Sequence, residues 1–127
     1  MSTGRSEAAI QRDILAEFGA QKFCRIWRMN VGMAVPTHGN RPVMFGVKGM
    51  ADTEGILDFR HSKLWRPGML PVSGIKWCIE VKREKGGRVR DSQEKMMRCI
   101  ERFGGIYMIT RSVEEVWAML GELGFER

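Results

Sequence analysis

Apolar residues recur at helical spacing near the start of the chain. Ile10, Ile14, Leu15 and Phe18 fall on one stripe, and Gly19 follows as a stop. Ser6 is placed to cap this helix, which puts Glu7 in its first turn. Residues 23–31 alternate imperfectly and predict a strand. Residues 32–48 are rich in Gly and Pro, and their centre, His38-Gly39-Asn40-Arg41, predicts a hairpin tip between segments 33–36 and 42–45. Residues 53–59 predict a further strand. Residues 60–74, punctuated by Pro67, Gly68, Pro71 and Gly74, predict an exposed loop.

The sharpest alternation lies in residues 75–82. Trp77, Ile79 and Val81 are expected on one face of a strand, with Lys76, Cys78, Glu80 and Lys82 on the other. Asp91 and Glu94 then have the spacing of a capping box, opening a helix that should bury Met96, Met97, Ile100 and Phe103 and end at Gly104-Gly105. Residues 106–110 read as a buried strand. Ser112 and Glu115 form a second box, before a helix with Val116, Met119, Leu120 and Leu123 turned inward. The pattern predicts one α/β domain over residues 1–127, a mixed sheet flanked by helices.

Charge adds a partner class. Lys and Arg number 21 against 15 acids, a net charge of +6, which favours a polyanion. Lys82, Arg83, Lys85, Arg88 and Arg90 crowd around Gly86-Gly87, in what reads as a mobile positive loop after the sharpest strand. No apolar run is long enough to span a bilayer, and the first residues lack the apolar stretch of a secretory signal, so an intracellular, cytoplasmic location is expected. Cys24, Cys78 and Cys99 are odd in number and widely spaced. Neither His38 nor His61 has a cysteine at finger spacing, so the cysteines read as small apolar residues and no zinc site is expected.

Glu80 and Lys82, two apart on a strand, leave the same face about 7 Å apart along the chain. On an exposed strand such a pair contributes under about 1 kcal/mol. Here it sits beside apolar Trp77, Ile79 and Val81 and runs into the basic loop, a place where ligands collect in α/β folds. A second acid, Asp52, follows a glycine turn at the mouth of the strand predicted over 53–59. If that strand pairs with 75–82, Asp52 and Glu80 converge, and two carboxylates with a backbone carbonyl suit Mg²⁺ or Mn²⁺. Lys82 would then steady an attacking water or the charge on a phosphate. Asp58, on the same strand at even spacing, is the rival acid. Glu7 shares a stripe with Gln11, Ile14 and Phe18 and should lean toward the body of the protein. Gln93 shares one with Met96, Met97 and Ile100, as a cap or a site residue.

The ordered set Glu7, Gly49-Met50-Ala51-Asp52, Ile79-Glu80-Val81-Lys82 and Gln93 resembles the virus-type replication-repair nuclease (VRR-NUC) domain, a branch of the PD-(D/E)XK nuclease superfamily. The resemblance runs from Ser6 to about Glu115. It includes the segment from Arg28 to Asn30 with Gly32, the phrase from Phe45 to Gly49, and the run from Gly104 to Ser112. Ala51 stands where the family commonly has proline, a loss of turn rigidity but not of a ligand. The resemblance implies a restriction-endonuclease-like core in the order α-β-β-β-α-β-α and a divalent-metal-dependent phosphodiesterase. Asp52, Glu80 and the Val81 carbonyl would bind metal, Lys82 would assist the water, Glu7 would support the metal or its waters, and Gln93 would support the site. It also implies small phage-encoded homodimers acting on branched DNA such as Holliday junctions.

Binding of this kind is largely sequence-neutral, carried by cations on phosphates. Arg83, Lys85, Arg88 and Arg90 are the expected contacts, with Arg41 and Lys48 beside the hairpin as further candidates. Phe45 and Trp65 are candidate wedges at a junction, and the stretch from Leu64-Trp65 to Leu70 is a candidate dimer interface. Two competing readings remain: a DNA-binding protein with a nuclease fold and no turnover, indifferent to Mg²⁺, and a domain that binds acidic proteins.

Overall fold

The computed structural model describes residues 4–29, 32–34, 39, 41, 43–45, 47–68 and 73–127, with the side chains of 32–34 and 43–45 left aside. Asn30, Val31, Pro36, His38, Asn40, Pro42, Gly46, Leu70 and Pro71, on which parts of the expected strand, hairpin and loop fall, lie outside the described residues, as does the Phe45 side chain.

Helix α1 (Glu7–Gly19) starts where Ser6 Oγ accepts the Ala9 N–H at 3.2 Å, and it buries Ile10, Ile14 and Phe18. Strand β1 (Cys24–Arg28) precedes a short hairpin, β2 (Gly32–Ala34) and β3 (Val43–Phe45), whose antiparallel register sets Met33 opposite Met44. Strand β4 (Thr53–Asp58) ends in a single 3-10 turn, Phe59–His61. Strand β5 (Gly74–Val81), helix α2 (Asp91–Arg102), strand β6 (Ile106–Thr110) and helix α3 (Val113–Glu122) complete the chain. The main sheet has the order β1-β4-β5-β6. Its first three strands are antiparallel, and β6 runs parallel to β5 after the α2 crossover.

Alternation along β5 gives each face of the sheet its own apolar layer. Trp77, Ile79 and Val81 pack with Leu57 and Met108 against α1 and α3, whose contributions include Ile14, Phe18, Val116, Trp117 and Leu120. Phe18 meets the Trp77 ring edge-on at 5.6 Å and tilts over Trp117 at 5.0 Å. Truncating a ring buried like Trp77 costs about 3–5 kcal/mol. On the other face Cys78 and Tyr107 pack with Ala51 beneath Met96, Met97 and Ile100 of α2.

Several expectations are corrected. Phe103 is 82% exposed: it is the residue that ends α2, where the chain leaves the helical stripe. The first box is shifted by one residue. Arg90 is the cap position and its N–H donates to Gln93 Oε1 at 3.0 Å, so Gln93 replaces Glu94 in that role. At α3, Ser112 Oγ accepts the Glu115 N–H at 3.1 Å, but the Glu115 carboxylate takes the Arg111 N–H instead of the cap's own. Within 60–74, Ser62 is buried, its hydroxyl donating to the Leu123 carbonyl at 2.6 Å, so this loop is pinned at its start. Cys24 and Cys78 are buried, but Cys99 is exposed on α2. Among the described residues no helix is long and apolar enough to cross a membrane.

Candidate active site

The site forms where β4 begins and β5 ends. Antiparallel pairing sets Thr53 opposite Ile79, which puts Asp52 level with Glu80. The turn before Asp52 is fixed from two sides. Gly49 has φ +86°, and a Cβ there would run into the Ser92 carbonyl of α2, so glycine lets the turn seat directly on that helix. Its own carbonyl accepts the Tyr107 hydroxyl at 3.1 Å. Ala51, fully buried against Cys78 and Tyr107, fills the space below.

Asp52 and Glu80 converge. The Asp52 N–H donates to Glu80 Oε2 at 3.3 Å, and Asp52 Oδ1 accepts the Val81 N–H at 3.4 Å and the Thr53 hydroxyl at 3.0 Å. Burial, and then the charge of Asp52, pushes the Glu80 carboxyl up to about 7. Burial pushes Asp52 up to about 6, against the lowering effect of its bonds from Thr53 and Val81. Both carboxyls therefore hold protons far more tightly than exposed acids, the mark of negative charge crowded into a poorly hydrated place.

Lys82 and Gln93 close the inner side. Lys82 Nζ lies 3.8 Å from Glu80 Oε1 and donates to Gln93 Oε1 at 2.8 Å, and Gln93 Nε2 donates to Glu80 Oε1 at 2.9 Å. All three side chains are buried, and Gln93 is the only buried residue of α2. Among the described residues, no buried side-chain nitrogen or oxygen lacks a hydrogen bond, so the network is complete.

The remaining expected residues divide. Glu7 is exposed at the start of α1 and hydrogen-bonds neither acid among the described residues; its charge raises both their pKa values only as a lesser cause, so it acts at long range and is not gathered with them. Asp58, the rival acid, is at the opposite end of β4, level with Gly74. Arg60 grips it through both carboxylate oxygens and holds its pKa below the usual range, so it plays no part here. Arg83, Lys85, Arg88 and Arg90 are exposed on the loop leaving the site, and Arg41 and Lys48 are exposed as well. Leu64 is exposed and Trp65 half-buried.

The loop, expected from its glycines to be mobile, is tied at several backbone points. The Arg111 guanidinium donates to the carbonyls of Arg83 (2.7 Å), Gly87 (2.9 Å) and Gly86. The Glu84 N–H also reaches the Arg5 carbonyl at 2.9 Å. Sequence reasoning passed over Arg111, as it did Thr53 and the role of Gln11, whose Nε2 donates to the Asp52 carbonyl at 3.0 Å and to Thr53 Oγ1 at 2.9 Å. Gln11 did carry a signal, four residues after Glu7 on one stripe.

The donors suit a hard divalent cation: Asp52 and Glu80 offer only oxygen, and a cation would relieve the crowding that raises their pKa values. Val81 turns its N–H toward Asp52, and in an extended strand the carbonyl of the same residue leaves along the same edge. Among the described residues no three His, Cys, Asp or Glu side chains gather into a fuller cage. Compared with family models, with curated proteins and with solved structures, the chain matches none.

Proposed function

We propose that this chain is a divalent-metal-dependent nuclease that hydrolyses DNA phosphodiester bonds. The observation that carries the reading is the convergence of Asp52 and Glu80, with Lys82 held by Gln93 beside them and a basic loop leading away. In this reading the sheet and its helices, in the order α1, β1, β4, β5, α2, β6, α3, are a PD-(D/E)XK core, and the resemblance to VRR-NUC domains supports it.

Asp52, Glu80 and the Val81 carbonyl would hold Mg²⁺ or Mn²⁺, with Glu7 acting on its waters from the exposed side. A divalent cation supplies charge neutralisation at the phosphate and activation of water. The protein's own groups do the rest. Gln93 keeps Lys82 Nζ within reach of the site, where positive charge meets the charge building on a phosphoryl group. Arg83, Lys85, Arg88 and Arg90, with Arg41 and Lys48 beyond, hold the strand by its phosphates. The substrate in this reading is branched DNA such as a four-way junction, cut by a homodimer. One site cuts one strand, so even resolution needs two sites related by a two-fold axis.

The test is cleavage of a labelled four-way junction beside linear duplex and single strand, with Mg²⁺ or Mn²⁺. Metal-dependent nicking, lost in Glu80→Ala and Lys82→Ala, is the expected result, and paired symmetric cuts in the junction would add the resolving role. Binding without cleavage in either metal, with both variants like the parent, would replace the nuclease with a non-catalytic DNA binder.

A further inference from the structure

Asp52 Oδ1 is fully engaged, but among the described residues Oδ2 accepts no hydrogen bond. Since no buried side-chain oxygen is left without a partner there, Oδ2 is not fully enclosed. One oxygen of this carboxylate is thus held, and the other is left without a protein partner among the described residues. What holds it begins on α1. Gln11 Nε2 donates to the Asp52 carbonyl at 3.0 Å and to Thr53 Oγ1 at 2.9 Å. A carbonyl only accepts, which settles that the amide nitrogen of Gln11 faces it. Thr53 Oγ1 receives that N–H and has a single proton of its own, which goes to Asp52 Oδ1 at 3.0 Å. Thr53 is fully buried, so no water competes for the hydroxyl.

We infer that Gln11 and Thr53 are positioning residues that act in series, Gln11 polarising the Thr53 hydroxyl into a one-way donor that locks the Asp52 carboxylate with Oδ2 presented to a divalent cation. This rests on the metal-site reading of Asp52 and Glu80. Outer partners of this kind typically change metal affinity by about ten- to a hundred-fold when removed. The arrangement also ties α1 to the start of β4, so the helix that carries Glu7 and the strand end that carries Asp52 keep a fixed relation.

The test is Mn²⁺ binding to the full chain by calorimetry, without nucleic acid. Asp52→Ala serves as the control without a site, and thermal melting in EDTA serves as the check on folding. Thr53→Val keeps the branched shape and removes the hydroxyl; it should weaken Mn²⁺ roughly ten-fold. Thr53→Ser restores the hydroxyl and should restore most of the affinity. Gln11→Ala should lose several-fold, and combined with Thr53→Val should lose little more than Thr53→Val alone, because Gln11 reaches the Asp52 carboxylate only through the Thr53 hydroxyl, its other bond being to the Asp52 backbone carbonyl. A parent that binds Mn²⁺ while Thr53→Val binds it equally well, or losses that add in full, would overturn the relay and leave the metal site standing. A parent whose Mn²⁺ binding is absent, or unchanged by Asp52→Ala, would overturn both. Thr53→Val melting far below the parent would be decided by Gln11→Ala and Thr53→Ser, which must still rank as stated.

Discussion

Lys82 Nζ lies 2.8 Å from Gln93 Oε1 and 3.8 Å from Glu80 Oε1, so the lysine of this site is held by an amide more closely than by its acid. The same amide oxygen accepts the Arg90 N–H, and the amide nitrogen reaches Glu80. Gln93 is thus a junction between the end of β5, the basic loop and the first turn of α2.

Replacing Gln93 by Ala should leave Lys82 Nζ and Glu80 Oε1 short of a partner inside the protein. A stability loss of about 1–3 kcal/mol is expected, with a fall in cleavage rate of about ten- to a hundred-fold. Denaturant melts and single-turnover rates measured side by side check this. Unchanged cleavage at unchanged stability would remove Gln93 from the site.

The acids Asp52 and Glu80 give a pH signature without metal. Their folded pKa values, about 6 and about 7, lie above the unfolded values near 4. Between these limits the folded state binds more protons than the unfolded one, so this pair's contribution to stability is fully present below about pH 4 and is lost as pH rises through 6 to 7. Melts in EDTA should show the loss across that window, and Asp52→Asn should flatten it. At pH 8, Mn²⁺ at about a hundred times its Kd should return about 2.7 kcal/mol. Identical melts with and without metal would count against the site.

Arg111 should govern the order of the basic loop. In Arg111→Ala, amide hydrogen exchange over residues 83–89 should quicken and DNA binding should weaken several-fold. Arg111→Lys keeps the charge but cannot reproduce a planar fork on three carbonyls, so it should resemble the alanine variant in exchange. By contrast, Lys85→Ala should leave exchange unchanged and lower the salt slope of binding by about one.

Thiol chemistry should separate the cysteines. Burial pushes the Cys24 and Cys78 thiols up to about 11, which leaves almost no thiolate at pH 8, whereas Cys99 is exposed. Alkylation of the native protein at pH 8 should label Cys99 alone, and denaturation should open all three. Rapid native labelling of Cys78 would mean that α2 lifts from the sheet.

The sequence reveals most where its message is local. The alternation that set Glu80 and Lys82 on one face, and Trp77, Ile79 and Val81 on the other, depends only on a period of two; β5 keeps it to Val81, and Lys82 follows directly, its N–H on the Thr110 carbonyl at 2.8 Å. The meeting of Asp52 with Glu80 was conditional on β4 pairing with β5, and its register belongs to the whole sheet. Phe103 shows how a stripe misleads: the spacing from Ile100 is helical, but the helix stops there and the ring turns out. Arg111 on the Arg83 carbonyl and Gln11 on Thr53 join residues 28 and 42 apart, through backbone atoms or a hydroxyl that no pattern of residue types marks.

Arg111 grips only peptide carbonyls, and a carbonyl is the same atom whatever side chain its residue bears. The hold of Arg111 on the loop is therefore independent of the side chain displayed at position 88, whereas the Arg83 side chain lies over Gly86 and Gly87 and the Lys85 stem lies beside Gly4. A lineage can exchange residue 88 without loosening that hold, which under the proposed function would retune how firmly the chain grips a polyanion.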